Sequence, residues 1–107
     1  MKNVIVLLTA LVAGILSYGQ TIDVVQINAQ WNDASTRRDL ARLSKCNYTF
    51  GYLESQSKEL RDQISAVPVV LIYKDNVLVK IYQAGIDLQL KVELAEIQEY
   101  IYLLKNN

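Results

Sequence analysis

Residues 21–28 (TIDVVQIN) are rich in β-branched side chains, and Ile22, Val24, Val25 and Ile27 are all apolar. A run that is apolar on both faces suits a strand in the middle of a sheet. Asn32, Asp33 and Ser35 then offer capping oxygens ahead of residues 36–43, where Leu40, Ala41 and Leu43 share one side. The pattern predicts a short, capped helix there. Residues 48–53 (YTFGYL) are aromatic and β-prone and predict a second strand. Ser57 can cap a helix running to Ile64, with Leu60 and Ile64 on one face.

Residues 69–73 (VVLIY) form a continuous apolar run directly after Pro68, as a central strand would. Asp75 and Asn76 supply turn chemistry, and residues 77–82 alternate as a returning strand, so the two runs read as a β-hairpin. Gly85 breaks the chain again. Leu90, Leu94, Ile97, Ile101 and Leu104 then recur at steps of four and three residues and predict one apolar helical face. Glu93, Glu96, Glu99 and Lys105 fall on its wetter sides. The order is strand, helix, strand, helix, strand, strand, helix. The first β-α-β unit calls for a right-handed crossover and a parallel pair. The hairpin adds antiparallel strands, giving an α/β fold: a mixed four-stranded sheet with helices on both faces.

The first twenty residues differ in kind. A short basic start at Lys2 precedes residues 4–16, which carry no charge, and Ser17-Tyr18-Gly19 places small residues at its first and third positions. This is the pattern of a secretory signal peptide. Cleavage after Gly19 would leave residues 20–107 as the exported domain. The alternative is a hydrophobic helix kept on the protein, although the run is shorter than the roughly 17–25 residues of a membrane-spanning helix.

Composition narrows the chemistry. The chain has 107 residues, 51% of them hydrophobic, and a mean hydropathy of +0.12, so it is long and apolar enough for one folded domain. Eleven basic residues balance eleven acidic ones, which gives no field for a nucleic acid. There is no histidine, and Cys46 is the one cysteine. An internal disulfide, a CxxC pair and a zinc cluster are therefore excluded. The spacing of Asp33, Asp39, Glu54 and Asp75 makes no recognisable metal loop, so no metal or cofactor is expected. Ser35 has no evident base to activate it. Arg37, Arg38, Arg42 and Lys45 read as a solvated face, and Cys46 as a small, partly buried hydrophobe. Tyr73, Tyr82, Tyr100 and Tyr102 are expected to pack with their hydroxyls reaching water.

Residues 24–35 (VVQINAQWNDAS) resemble the thioredoxin active-site region, in which a strand leads through an alanine and a tryptophan into Trp-Cys-x-x-Cys at a helix start. Residues 66–86 (AVPVVLIYKDNVLVKIYQAGI) resemble the second signature of that family, with Pro68 at the cis-proline and Gly85 at the late glycine. The resemblance spans residues 21–104 and implies a minimal thioredoxin-like fold. Three positions depart from it. Asn32 and Ser35 stand where the two cysteines would be, and Gln26 aligns with a buried acid of the family. Neither an amide nor an unactivated hydroxyl performs thiol–disulfide exchange, so a redox-inactive, non-enzymatic member is expected.

What the resemblance still implies is docking. In relatives the residue before the cis-proline pairs its outward-facing backbone with an extended peptide. The implied partner surface comprises Trp31, Asn32, Asp33, Ala34, Ser35, Val67, Pro68 and Gly85. The expected role is an exported adaptor that binds a protein or peptide, with no nucleic acid or cofactor. The alternative is a structural component of a membrane-associated or viral assembly, anchored by a retained N-terminal helix.

Overall fold

Seven consecutive buried residues, β1 (Ile22–Asn28), form the strand that organises the molecule. A strand is buried throughout when it has neighbours on both edges and cover on both faces. The computed structural model describes residues 21–106, so the expected signal or anchor at 1–19 lies outside the described residues. β1 pairs in parallel with β2 (Asn47–Tyr52) and antiparallel with β3 (Val69–Lys74), which pairs antiparallel with β4 (Val77–Gln83). The sheet order is β2-β1-β3-β4, the mixed four-stranded sheet that the element order predicts.

Alternation along β1 divides the core in two. On one face Ile22, Val24, Val70 and Ile72 pack with Leu40 and with α2 (Leu94–Lys105), which buries Ile97 and Ile101. On the other, Val25, Ile27, Val69 and Leu71 pack with Leu60 of α1 (Lys58–Gln63). Ser57 caps α1 as expected, its Oγ accepting from the Leu60 N–H at 3.2 Å. Asp75 and Asn76 both have positive φ, 51° and 69°, as the two central residues of a type I′ hairpin turn require. Among the described residues no helix is long and apolar enough to cross a membrane.

Three sequence expectations need correction. The helix expected at residues 36–43 is a 3-10 segment, Arg38–Arg42, preceded by another at Gln30–Ser35, and neither has a side-chain cap hydrogen bond. Thr36 and Arg37 between them are not helical, and they lie where the buried Gln26 side chain meets the backbone. Its Oε1 accepts from the Arg37 N–H at 2.9 Å and its Nε2 donates to the Arg37 carbonyl at 3.0 Å. That carbonyl also accepts from the Leu40 N–H at 3.4 Å, which opens the second 3-10 segment. The final helix also starts later than its apolar period suggests, at Leu94; Leu90 is buried on the approach to it.

The third correction concerns Tyr73. It is 1% exposed, and its hydroxyl has no hydrogen-bond partner among the described residues. Burial pushes its ionisation far upward. A buried, unpaired hydroxyl costs free energy that a phenyl ring would not. Tyr73→Phe is therefore expected to be neutral or to raise the urea-unfolding free energy by up to about 1 kcal/mol. A loss of more than about 1 kcal/mol would show that the hydroxyl is paired.

Candidate functional site

The site is built outward from the end of β1. Asn28 is fully buried and uses its whole carboxamide. Its Oδ1 accepts from the Ala29 N–H at 2.9 Å and from Asn32 Nδ2 at 3.1 Å. Its Nδ2 donates to the Asn32 carbonyl at 2.9 Å and to Thr36 Oγ1 at 2.8 Å. Two donors and two lone pairs are thereby satisfied, and they hold the turn over residues 29–36 in one shape.

Asn32 continues this network. Its Nδ2 also lies 3.4 Å from the Val67 carbonyl and 3.1 Å from the Leu88 carbonyl. Asp33 accepts from the Tyr52 hydroxyl at 2.7 Å and from Arg38 at 3.0 Å. The Tyr52 bond, aided by Arg38, holds the Asp33 carboxyl below the usual range, and the same bond holds the Tyr52 hydroxyl above its own. Ser35 is half-buried, Ala34 is exposed, and the Trp31 ring is 68% exposed.

The Val67-Pro68 peptide is cis, and Pro68 accepts at its carbonyl from the Ala84 N–H at 3.0 Å, which seats Gly85 beside it. The fold thus gathers the residues singled out by the sequence at one end of the sheet. Their exposure differs from the expected docking surface. Val67 is only 4% exposed and its carbonyl faces Asn32, so that backbone acceptor is not turned outward to solvent. Pro68 is also buried, whereas Gly85 is exposed and Ile86 is fully so.

Two open grooves flank the loops. One of about 600 Å³ is lined by Tyr82, Gly85, Ile86, Leu90 and Val92, with Asp87 and Lys91 paired at 2.8 Å on its rim. The other, of about 350 Å³, runs beside Ala34, Ser35 and Gln89.

Arg37 is the residue whose role the sequence hides. Read as part of a solvated face, it is in fact largely buried, and its Nη1 donates to the Leu90 and Val92 carbonyls at 2.9 and 2.6 Å. Its remaining donors take both oxygens of Asp39 at 2.9 Å. The Asp39 acid was the visible signal; the distant carbonyls left no local trace.

The chemistry available here is limited. Among the described residues no cluster of His, Cys, Asp or Glu could hold a metal ion. Cys46 is half-buried, and burial, with the nearby Asp23 carboxylate, pushes its thiol up to about 11. Reactive thiols show the opposite shift. With that single cysteine the chain has no CxxC motif.

Strand order, the cis peptide ahead of β3 and the loop beyond β1 define a thioredoxin-like fold. Thioredoxin f from spinach chloroplast, in its short form, is a solved structure similar to this chain. The two are 17% identical, with a TM-score of 0.50 over 81% of this chain and 79% of that one. No protein-family model matches the chain, and no curated protein does.

Two measurements follow from this geometry. Gln26→Glu would turn a carboxylate oxygen toward the Arg37 carbonyl, and is expected to cost about 2–4 kcal/mol at pH 7. Its folded-state pKa would be raised, so the loss should shrink as pH falls toward the unfolded value of about 4.3. Equal urea-unfolding deficits at pH 7 and pH 4 would contradict that. Asp39 behaves with the opposite sign, because the Arg37 bonds hold its carboxyl below the usual range. Its contribution is present above the unfolded pKa of about 3.9 and is lost as pH falls through the folded value. Asp39→Asn is expected to lower the thermal midpoint at pH 7 and flatten its decline below about pH 4.

Proposed function

We propose that the protein is a redox-inactive, protein-binding domain, exported from the cell, that docks a protein or peptide at the loop where enzymes of this fold carry their cysteines. The observation that carries the reading is Trp31, 68% exposed on a turn whose neighbours Asn32 and Asp33 are tied down by side-chain hydrogen bonds. A large amphipathic ring on a fixed backbone loses little conformational freedom on binding, and tryptophan is enriched among residues that dominate interfaces. Ala34 and Gly85 leave room for approach on either side, and Ile86 offers a second apolar contact. Asn32, Asp33, Ser35, Val67 and Pro68 complete the proposed site, Val67 and Pro68 as buried members of it. Disulfide exchange has no nucleophile in this loop, since an amide and a hydroxyl stand at the two cysteine positions.

Photo-cross-linking in the native source tests this. A cross-linker placed at Ala34 is expected to capture a discrete partner that one at exposed Glu59 of α1 does not. Adding Trp31→Ala should reduce that capture at least about ten-fold. Equal capture from both positions, or capture indifferent to Trp31, would sink the docking reading. Insulin-disulfide reduction by the purified chain would overturn the redox-inactive part. Intact mass of the native protein addresses export: a start at Gln20, about 2 kDa lighter, supports it. A start at Met1 would shift the reading to an anchored structural component.

A further inference from the structure

Three segments distant in sequence meet at one side chain. Asn32 Nδ2 lies 3.1 Å from Asn28 Oδ1, 3.1 Å from the Leu88 carbonyl and 3.4 Å from the Val67 carbonyl. Two amide protons are shared among these three acceptors, and the Val67 contact is the longest. The loop on the far side of the contact is tightly wound. The Leu88 N–H donates to the Gly85 carbonyl at 3.0 Å, and the Gln89 N–H to Asp87 Oδ1 at 3.2 Å. Leu88 itself has φ 60°, a left-handed conformation that a branched side chain adopts only when its surroundings impose it. The Leu88 carbonyl meets Asn32 with the residue in this conformation.

We propose that Asn32 is a latch: through its bond to the Leu88 carbonyl it holds the 85–89 loop against the Val67-Pro68 turn, with a longer contact to the Val67 carbonyl. In the latched state Val67 is covered and only side chains such as Trp31 and Ile86 are offered to a partner. A strand pairing with the Val67 carbonyl would replace the longest of the three Asn32 contacts and leave its bonds to Asn28 and to the Leu88 carbonyl in place, so the loop stays held while a partner docks. That docking step rests on the docking reading above; the latch does not.

Hydrogen exchange of the full chain separates the two. Asn32→Ala removes the donor, and Asn32→Asp keeps the shape while replacing the donor with an acceptor. In both, the hydrogen-bonded amides of Leu88 and Gln89 are expected to exchange at least about ten-fold faster, with those of β1 and β3 unchanged. Unchanged loop rates, or the same acceleration throughout the sheet, would overturn the latch. Should neither variant fold, the wild-type chain still decides. Its Asn32 Nδ2 protons are expected to be protected relative to the exposed carboxamide of Gln63, and equal rates for the two would overturn the proposal. Failure of cross-linking beside Trp31 with loop protection intact would remove the docking reading and leave the latch standing.

Discussion

A carboxamide withdrawn wholly from water has to find its partners inside the protein, and the way Gln26 finds them shapes everything beyond β1. It donates to the Arg37 carbonyl and to the Tyr48 hydroxyl at 2.8 Å, and it accepts from the Arg37 N–H. Each satisfied bond is worth only about 1 kcal/mol net, but a buried donor left without a partner costs about 1–3 kcal/mol. That asymmetry draws residue 37 to the sheet. Once there, the Arg37 guanidinium reaches the Leu90 and Val92 carbonyls and fixes the approach to α2. Asn28, two residues along the same face of β1, does the equivalent for the turn that carries Trp31. One face of one strand therefore positions both the segment after β1 and the path into the last helix.

Most of the scaffold was legible because it follows from local patterning. β1 and β3 show as apolar runs, the Asp75-Asn76 turn shows in residue types that tolerate positive φ, and the α1 cap shows in Ser57. What was not legible depended on side-chain bonds across long sequence separations. Residues 36–43 carry a helical apolar period, and the break at Thr36 and Arg37 falls where the Gln26 side chain bonds the backbone of residue 37. Arg37 looks like a surface arginine until the Leu90 and Val92 carbonyls come within reach. Tyr73 lies in an apolar run where tyrosine ordinarily keeps its hydroxyl wet; here the strand register buries the hydroxyl as well.

The candidate site was legible in its membership rather than its accessibility. Trp31, Asn32, Pro68 and Gly85 do converge, since the strand order brings the end of β1 beside the start of β3. Sequence could not tell that the Asn32 side chain would turn inward to the Val67 and Leu88 carbonyls rather than outward to a partner. That choice depends on Asn28, whose carboxamide leaves an acceptor aimed at Asn32.

Neutral groups at positions 26, 28 and 32 also decide what kind of surface this end of the sheet can be. An ionisable or nucleophilic side chain in such a place must remain partly unpaired to react, and unpaired buried polar groups are costly. Carboxamides remove that conflict, because donors and acceptors can all be used at once. Asn28 uses all four of its bonding positions, and Gln26 uses both of its ends. A fully satisfied network of this kind is rigid. The bonds that use up the polar groups of Asn28 therefore also hold the turn that carries the exposed Trp31 ring in one shape.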